Sequence, residues 1–358
     1  MKIAVILGTR PEIMKVSPII RELEKRKIKH IVIHTGQHYS HNLDQIFFND
    51  LKLKKPDYNI HVGSKSSPTQ IGLMMIKMEK ILREFNPDVV LVPGDTQTAL
   101  GGALTARKLN MKIGHVEAGL RSYDESMPEE WNRRMIDHCS DYMFAPTNIS
   151  RDILLGEGIS KKRIFVTGNT IVDAVQQSTK IAELSTILKK LNLISKQYVL
   201  VSIHRQENVS DTKKLKNLIK SLKIIQKEFS IPVIFPIHPR TKKAIKDLKI
   251  DLKNITVIEP IGYLDFLHLQ KNSKLVLTDS GGIQEETTIL KIPCVTLRHN
   301  TERPESVHVG ANIIAGTSPE KILKCAKIMI KRKRNWRNPF GNGKTAKKIV
   351  DILLKHHN

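Results

Sequence analysis

Short apolar runs alternate with longer segments of helical period along the whole chain. In the first half the runs are Ile3–Leu7, Ile31–His34, Val89–Pro93, Ile113–Glu117, Tyr142–Ala145 and Ile164–Thr167. In the second half they are Val199–His204, Val233–His238, Ile255–Ile258, Leu275–Asp279, Cys294–Leu297 and Ile313–Ala315. Near-continuous apolar strands separated by helices predict parallel sheets covered on both faces. Two sets of six predict two doubly wound α/β domains. The boundary is expected near Gly168–Val172, giving domains over 1–170 and 171–342, with the following helix as connector. A last helix over 343–358 is expected to pack back on the first domain.

In doubly wound sheets, ligands bind at the carboxyl ends of the strands. Asp95, Glu117, His204, His238, Asp279 and Arg298 sit at predicted strand ends. One such residue is usually a satisfied structural group. Many of them, lining two facing sheets, predict an active site in a cleft between the domains.

The densest signal is Asp279-Ser-Gly-Gly-Ile-Gln-Glu-Glu286, which follows the strand run Leu275–Leu277. It predicts a helix from Ile283 to Leu290, capped by Ser280. Gly281 and Gly282 let a ligand approach the backbone, and the helix start offers free N–H groups to an anion. Glu286 lies four residues after Gly282, one turn further along the same face, within reach of sugar hydroxyls. The segment reads as a nucleotide site; the bland alternative is a tight strand–helix turn with a solvated glutamate pair.

The first strand ends in Gly8-Thr-Arg10-Pro-Glu-Ile-Met-Lys15. Pro11 suits the first helical position. Arg10 and Lys15 are then poorly placed for the helix dipole unless an anion binds there; the alternative is a flexible surface pair. Asp95 and Glu117 end adjacent strands, and a loop carrying Pro128-Glu-Glu130-Trp-Asn-Arg133 brings a third carboxylate. Clustered carboxylates are expected to raise one another's pKa, which suits proton transfer near neutrality. Metal ligation is the competing use, but no close-spaced His/Asp ligand pattern supports it. His204 is placed to face these carboxylates as a phosphate contact or proton carrier, or else to bond its own loop.

Composition changes the picture in one respect. The net charge is +24, of which residues 1–168 hold +6 and the remaining 190 hold +18. The excess lies in lysine-rich stretches at 213–227, 241–253 and 321–334, which read as exposed faces of amphipathic helices. Nucleic-acid binding is the sharp reading. Few aromatics interleave with the lysines and no nucleic-acid motif is present, so a solvated surface is expected instead. No apolar run approaches the roughly 18 residues of a membrane span. The chain begins directly with a strand pattern, so no signal peptide is expected. Cys139, Cys294 and Cys325 are far apart and fit a reducing cytoplasm.

Taken together, Gly8-Thr-Arg-Pro-Glu12, Gly94-Asp95-Thr, Gly114-His-Val-Glu-Ala-Gly-Leu-Arg121, Pro128-Glu-Glu130, Thr167-Gly-Asn-Thr170, His204-Arg, Asp279–Glu286 and Thr301-Glu-Arg-Pro-Glu305 resemble the non-hydrolysing UDP-N-acetylglucosamine 2-epimerases over nearly the whole chain. The resemblance implies two Rossmann-like domains in the GT-B arrangement, a homodimer, and no metal or NAD. It implies interconversion of UDP-GlcNAc and UDP-ManNAc by elimination of UDP to 2-acetamidoglucal and re-addition. Asp95, Glu117, Glu130 and His204 would be catalytic. Arg10, Lys15, Arg133, His238, Ser280, Gly281, Gly282 and Arg303 would contact the substrate, mainly its nucleotide or phosphate. Glu286 would hold the ribose, and Phe266 with the Ile261 backbone would flank the uracil. One departure is His204-Arg-Gln206, where bacterial members often have His-Arg-Arg. It leaves open whether UDP-GlcNAc also acts as an activator. A GT-B glycosyltransferase and a hydrolysing epimerase releasing UDP and ManNAc are the competing activities.

Overall fold

The run Lys2–Leu7 forms the first strand, β1, and its last five residues are buried. The computed structural model describes residues 1–36 and 47–357. After β1 come β2 (Lys29–His34), β3 (Tyr58–Asn59), β4 (Val89–Pro93), β5 (Lys112–Val116), β6 (Tyr142–Ala145) and β7 (Ile164–Val166). All pair in parallel, in the order β3-β2-β1-β4-β5-β6-β7. Val90, Leu91 and Val92 of β4 are fully buried, and each such side chain contributes roughly 1.5–3 kcal/mol. Strand β3 was not expected. It is a two-residue edge strand beside β2, with no apolar run to announce it.

The second set is β8 (Val199–Ser202), β9 (Val233–Pro236), β10 (Thr256–Ile258), β11 (Leu275–Thr278), β12 (Cys294–Thr296) and β13 (Asn312–Ile314). These form a parallel sheet in the order β10-β9-β8-β11-β12-β13. One face packs Val199, Val201, Leu277 and Val295 against the inner stripe of the helix Thr212–Phe229. That helix buries Leu215, Leu218, Ile219, Leu222 and Ile225, at helical spacing, and leaves its lysines toward solvent. The other face packs Tyr198, Leu200 and Val276 with Leu269 and Ile292.

Several predicted strands stop short of their polar ends. Glu117 leaves β5 because its φ is +73°, a left-handed conformation that costs a non-glycine residue energy. β8 ends at Ser202 because the next backbone N–H groups, of His204 and Arg205, point to the Asp279 carboxylate instead of a strand. The segment beginning at Pro128 is a helix, Pro128–Cys139, and not a loop. Proline at its start and Glu129 and Glu130 in its first turn are the signals that specify it.

The chain divides into two compact units, Met1–Gln176 with Phe340–Asn358, and Gln177–Pro339. The change from one to the other falls inside the helix Thr170–Ala182. Within the first unit, the helix Thr345–Lys355 is anchored by Asp173, whose carboxylate accepts from the N–H groups of Thr345 at 3.2 Å and Ala346 at 3.0 Å.

Candidate active site

Both sheets have the same order about their centre. In the first, the chain crosses from one side to the other between β1 and β4; in the second, between β8 and β11. Such a switch point opens a crevice at the carboxyl ends of the two central strands.

In the first unit, the loops after β1 and β4 are joined by Glu12. Its carboxylate accepts from Gly8 N–H at 3.0 Å, from the Thr9 hydroxyl at 2.9 Å and from the Thr96 hydroxyl. Burial pushes the Glu12 carboxyl up to about 7, against the lowering effect of these bonds and of Lys15. Beside it, the Lys15 ammonium is ion-paired with Glu117, whose other oxygen accepts from Asn169 at 2.8 Å. Gly94 borders this pair: a Cβ there would be in ordinary contact, 3.5 Å from the Glu117 carboxylate and 3.6 Å from the Lys15 nitrogen, and it is the φ of +69° that favours glycine.

Asp95 follows directly. One arm of the Arg133 guanidinium binds its carboxylate, and the other binds Glu130 at 2.7 Å. The helix Pro128–Cys139 therefore delivers one cation to two carboxylates. Asp95 keeps 27% of its side chain exposed. Glu130 is fully buried and also accepts from Ser122 N–H and hydroxyl, both at 2.9 Å, and from Tyr123 N–H at 3.3 Å. Burial alone would raise its pKa, but the Ser122 bonds and the Arg133 charge outweigh it and hold Glu130 below the usual range. Mutual raising of pKa was expected; Glu130 departs from it, because the Ser122 donors and the Arg133 charge favour its ionised form.

In the second unit, Asp279 ties the loop after β8 to the end of β11. It accepts from the backbone N–H of His204 at 3.1 Å and Arg205 at 3.0 Å, and from the Asn208 amide at 3.1 Å. His204 and His238 stand with ring centres 5.8 Å apart. Burial, with repulsion from Arg205 and Arg240, lowers the His204 imidazole against the pull of Asp279, although 35% of its side chain is exposed. His238 is exposed and caps the helix Pro239–Asp247 by accepting Arg240 N–H at 3.2 Å.

The helix after β11 spans Gly281–Ile289, starting before the expected Ile283. Ser280 occupies the cap position, but its hydroxyl makes no cap bond. The glutamate pair is buried, not solvated: Glu285 is 0% and Glu286 4% exposed. Burial, with repulsion from Glu285, pushes the Glu286 carboxyl up to about 8 despite a bond from Gln270. Arg303 binds Glu285 at 2.6 Å. Phe266 and Ile261 are half-buried and pack on the core cluster that includes Leu200 and Val276.

The profile of the UDP-N-acetylglucosamine 2-epimerase family matches residues 21–354. The chain belongs to that family. A UDP-N-acetylglucosamine 2-epimerase of Methanocaldococcus jannaschii is 53% identical over 99% of both chains. A crystal structure of the Methanocaldococcus jannaschii enzyme in complex with UDP-GlcNAc and UDP matches with a TM-score of 0.94, covering 99% of this chain and 100% of that one. A UDP-2,3-diacetamido-2,3-dideoxy-D-glucuronate 2-epimerase of Pseudomonas aeruginosa is 37% identical over 99% of this chain and 100% of its own length. The two Rossmann-like sheets are thus the GT-B-like fold of this epimerase family.

Within the epimerase chain, the structure brings Lys15, Asp95, Glu117, Glu130 and Arg133 to one switch point. It brings His204, Ser280, Gly281 and Gly282 to the other, around Asp279. Arg10 is exposed at the start of its helix. Glu12 was missed as a site-building residue, and Asp279, named at its strand end, was given no role of its own. The signal for Glu12 was available: it is an acid between Arg10 and Lys15 at the helix start after β1. Among the described residues no group of three or more His, Cys, Asp or Glu is arranged to hold a metal ion. No helix among them is long and apolar enough to cross a membrane.

Proposed function

We propose that this chain interconverts UDP-GlcNAc and UDP-ManNAc by inverting C2 without hydrolysis. The observation that carries the proposal is the cluster of Asp95, Glu117 and Glu130 at the switch point of the first sheet, with Lys15 bound to Glu117 and Arg133 shared by Asp95 and Glu130. The C2 hydrogen is not acidic while the sugar is intact, because no carbonyl is adjacent. Removing it requires UDP to leave from C1, giving 2-acetamidoglucal. UDP then adds back as a proton reaches the opposite face of C2. Two carboxyl groups suffice for these transfers.

The geometry favours a division of labour. Asp95 has an open face and is poised for the substrate. Glu117 is the second proton carrier, and the ammonium of Lys15 can take a proton's place beside it. Glu130 is saturated with donors and held ionised, which suits it to orienting Arg133 rather than to moving protons. In the second unit, the helix start at Ser280–Gly282 and the side chains of His204, His238 and Arg303 are assigned to the phosphates, with Arg10 and Lys15 supplying further charge. Glu286 is assigned to the ribose hydroxyls, and Phe266 and Ile261 to the uracil. The raised Glu286 carboxyl supports this, because ligand hydroxyls would supply the donors that burial withholds. The reaction needs no metal or NAD in this reading, the product serves as an activated precursor for surface glycans, and the enzyme works as a cytoplasmic homodimer.

Incubation with UDP-GlcNAc in heavy water, followed by NMR, tests the reading. UDP-ManNAc should appear, with deuterium at C2 of both epimers and undiminished rate after chelator treatment. Free ManNAc and UDP as the accumulating products would instead establish the hydrolysing reaction. No change at C2 would defeat the assignment, and an acceptor-dependent loss of UDP-GlcNAc would favour a glycosyltransferase.

A further inference from the structure

The three carboxylates sit on three separate elements: the loop after β4, the end of β5 and the helix Pro128–Cys139. What fixes their spacing is a buried pair outside the proposed proton traffic. His115, in β5, is 0% exposed. Its Nδ1 lies 2.7 Å from the Asp137 carboxylate, and its Nε2 lies 2.7 Å from the Gly94 carbonyl oxygen. Both neighbours are acceptors, so both ring nitrogens must carry a proton to make these bonds. Asp137 is kept as an acceptor by its other contacts, Arg121 at 2.8 Å and Gly119 N–H at 3.2 Å. Burial would raise the Asp137 carboxyl, but His115 and Arg121 together pull it below the usual range.

The placement is what gives the pair a role. Gly94 immediately precedes Asp95. Glu117 is two residues beyond His115 along the chain. Asp137 lies four residues after Arg133 and seven after Glu130, on the same face of one helix. Bound on both sides, the ring clamps the Asp95 loop to the helix that supplies Glu130 and Arg133.

We propose that His115, held as a double N–H donor by Asp137, is a positioning residue that sets the spacing of Asp95, Glu117 and Glu130 for proton transfer. The proposal rests on the epimerase reading above. It touches no substrate; it acts by holding the Gly94 carbonyl.

The test has two arms. In the intact protein labelled with ¹⁵N at histidine, His115 should show protons on both ring nitrogens at neutral pH, and Asp137→Asn should abolish that signature. A single neutral tautomer in the wild type would overturn the clamp. In the second arm, His115→Gln should lower kcat about 100-fold, the scale of a small misplacement of catalytic groups, with KM for UDP-GlcNAc changed less than about threefold. An unchanged kcat, or a loss confined to thermal stability, would reduce His115 to a structural residue. If the wild type epimerises no UDP-sugar, the epimerase reading has failed, and the positioning role falls with it. The nitrogen spectrum alone would then show whether the clamp exists. Should His115→Gln fail to fold, Asp137→Asn carries the same kinetic comparison.

Discussion

Glu12, after the first strand of its sheet, and Asp279, after the fourth strand of the other, do the same job at the two switch points, and their surroundings differ. Each is a buried carboxylate joining the loop of a first strand to that of a fourth. Glu12 receives two hydroxyls and one backbone N–H. Asp279 receives two backbone N–H groups and an amide. A hydroxyl can reverse and accept, so the Glu12 latch survives protonation with its bonds intact. An N–H cannot reverse, so the Asp279 latch depends on its oxygens remaining acceptors. The same topology has thus been closed by a tolerant latch beside the proposed chemistry and an intolerant one beside the proposed nucleotide site.

The largest expected effect separates the two units by function. Asp95→Asn or Glu117→Gln should lower kcat by about 10²–10⁴, the range for groups that transfer protons. UDP affinity, measured by calorimetry, should hardly move. Near-wild-type turnover in either variant removes that residue from the chemistry. Glu130→Gln should also cost turnover, through a displaced Arg133. A change in the pH profile of Glu130→Gln, rather than in rate alone, would restore it to the proton pathway.

The latches themselves are compared by denaturant unfolding. Asp279→Asn turns an amide toward N–H donors and should cost about 1.5–3 kcal/mol, the scale for a hydrogen-bonded charged acceptor. Glu12→Gln should cost far less, because Thr9 and Thr96 can reorient. Glu12 also has a pH signature. Its folded pKa, about 7, lies above the ordinary 4.5, so its contribution is fully present below 4.5 and is lost as pH rises toward and through 7. The shift corresponds to about 3 kcal/mol in total. Glu12→Gln should flatten that part of the stability profile. Equal costs for the two variants, or a profile unaltered by Glu12→Gln, would remove the distinction drawn between them.

Glu286 extends the comparison to ligand binding. Its carboxyl, pushed up to about 8, is mostly protonated at pH 7. Hydroxyl donors from a ribose would favour the ionised form and lower that value. UDP-GlcNAc binding near pH 7 should therefore release up to one proton per site, visible in calorimetry across buffers of different ionisation enthalpy. Affinity should rise between pH 7 and 8. Glu286→Gln should abolish the proton release and weaken binding by about 10- to 100-fold. Proton release that persists in the variant would place the ionising group elsewhere.

The sequence showed the strands, their parallel arrangement and the carboxylates at their ends, because fully buried strands are written as continuous apolar runs. It did not show β3, whose two residues carry no such run. It misjudged Pro128–Arg133, because the apolar stripe of that helix is thin and its Glu and Arg residues face inward to bond one another. Read as a helix, the spacing of Glu130, Arg133 and Asp137 would have announced one polar face. The pKa expectation failed at Glu130 for a related reason: composition shows that acids cluster, but only the fold shows that Arg133 and the Ser122 donors meet this one. Glu12 stood in plain view within a motif and was passed over, since a buried carboxylate bonded by hydroxyls has no periodic signal.

Asp173 supplies the smallest test and the sharpest control. It too is a buried carboxylate with a pKa raised by burial, and it too joins distant segments, accepting the first N–H groups of the helix Thr345–Lys355. It lies at a helix start rather than at a switch point. If joining distant segments were enough to make a buried acid critical, Asp173→Ala would match Asp279→Asn. A helix cap instead contributes about 1 kcal/mol. The loss should be local, because the helix keeps its buried face of Ala346, Ile349, Val350 and Leu353. Hydrogen exchange in residues 345–355 should accelerate about fivefold, the equivalent of that energy. Turnover and UDP affinity should stay within twofold of the wild type. A loss as large as that of Asp279→Asn would show that burial and span, and not position at the carboxyl ends of the central strands, decide which acids the fold cannot spare.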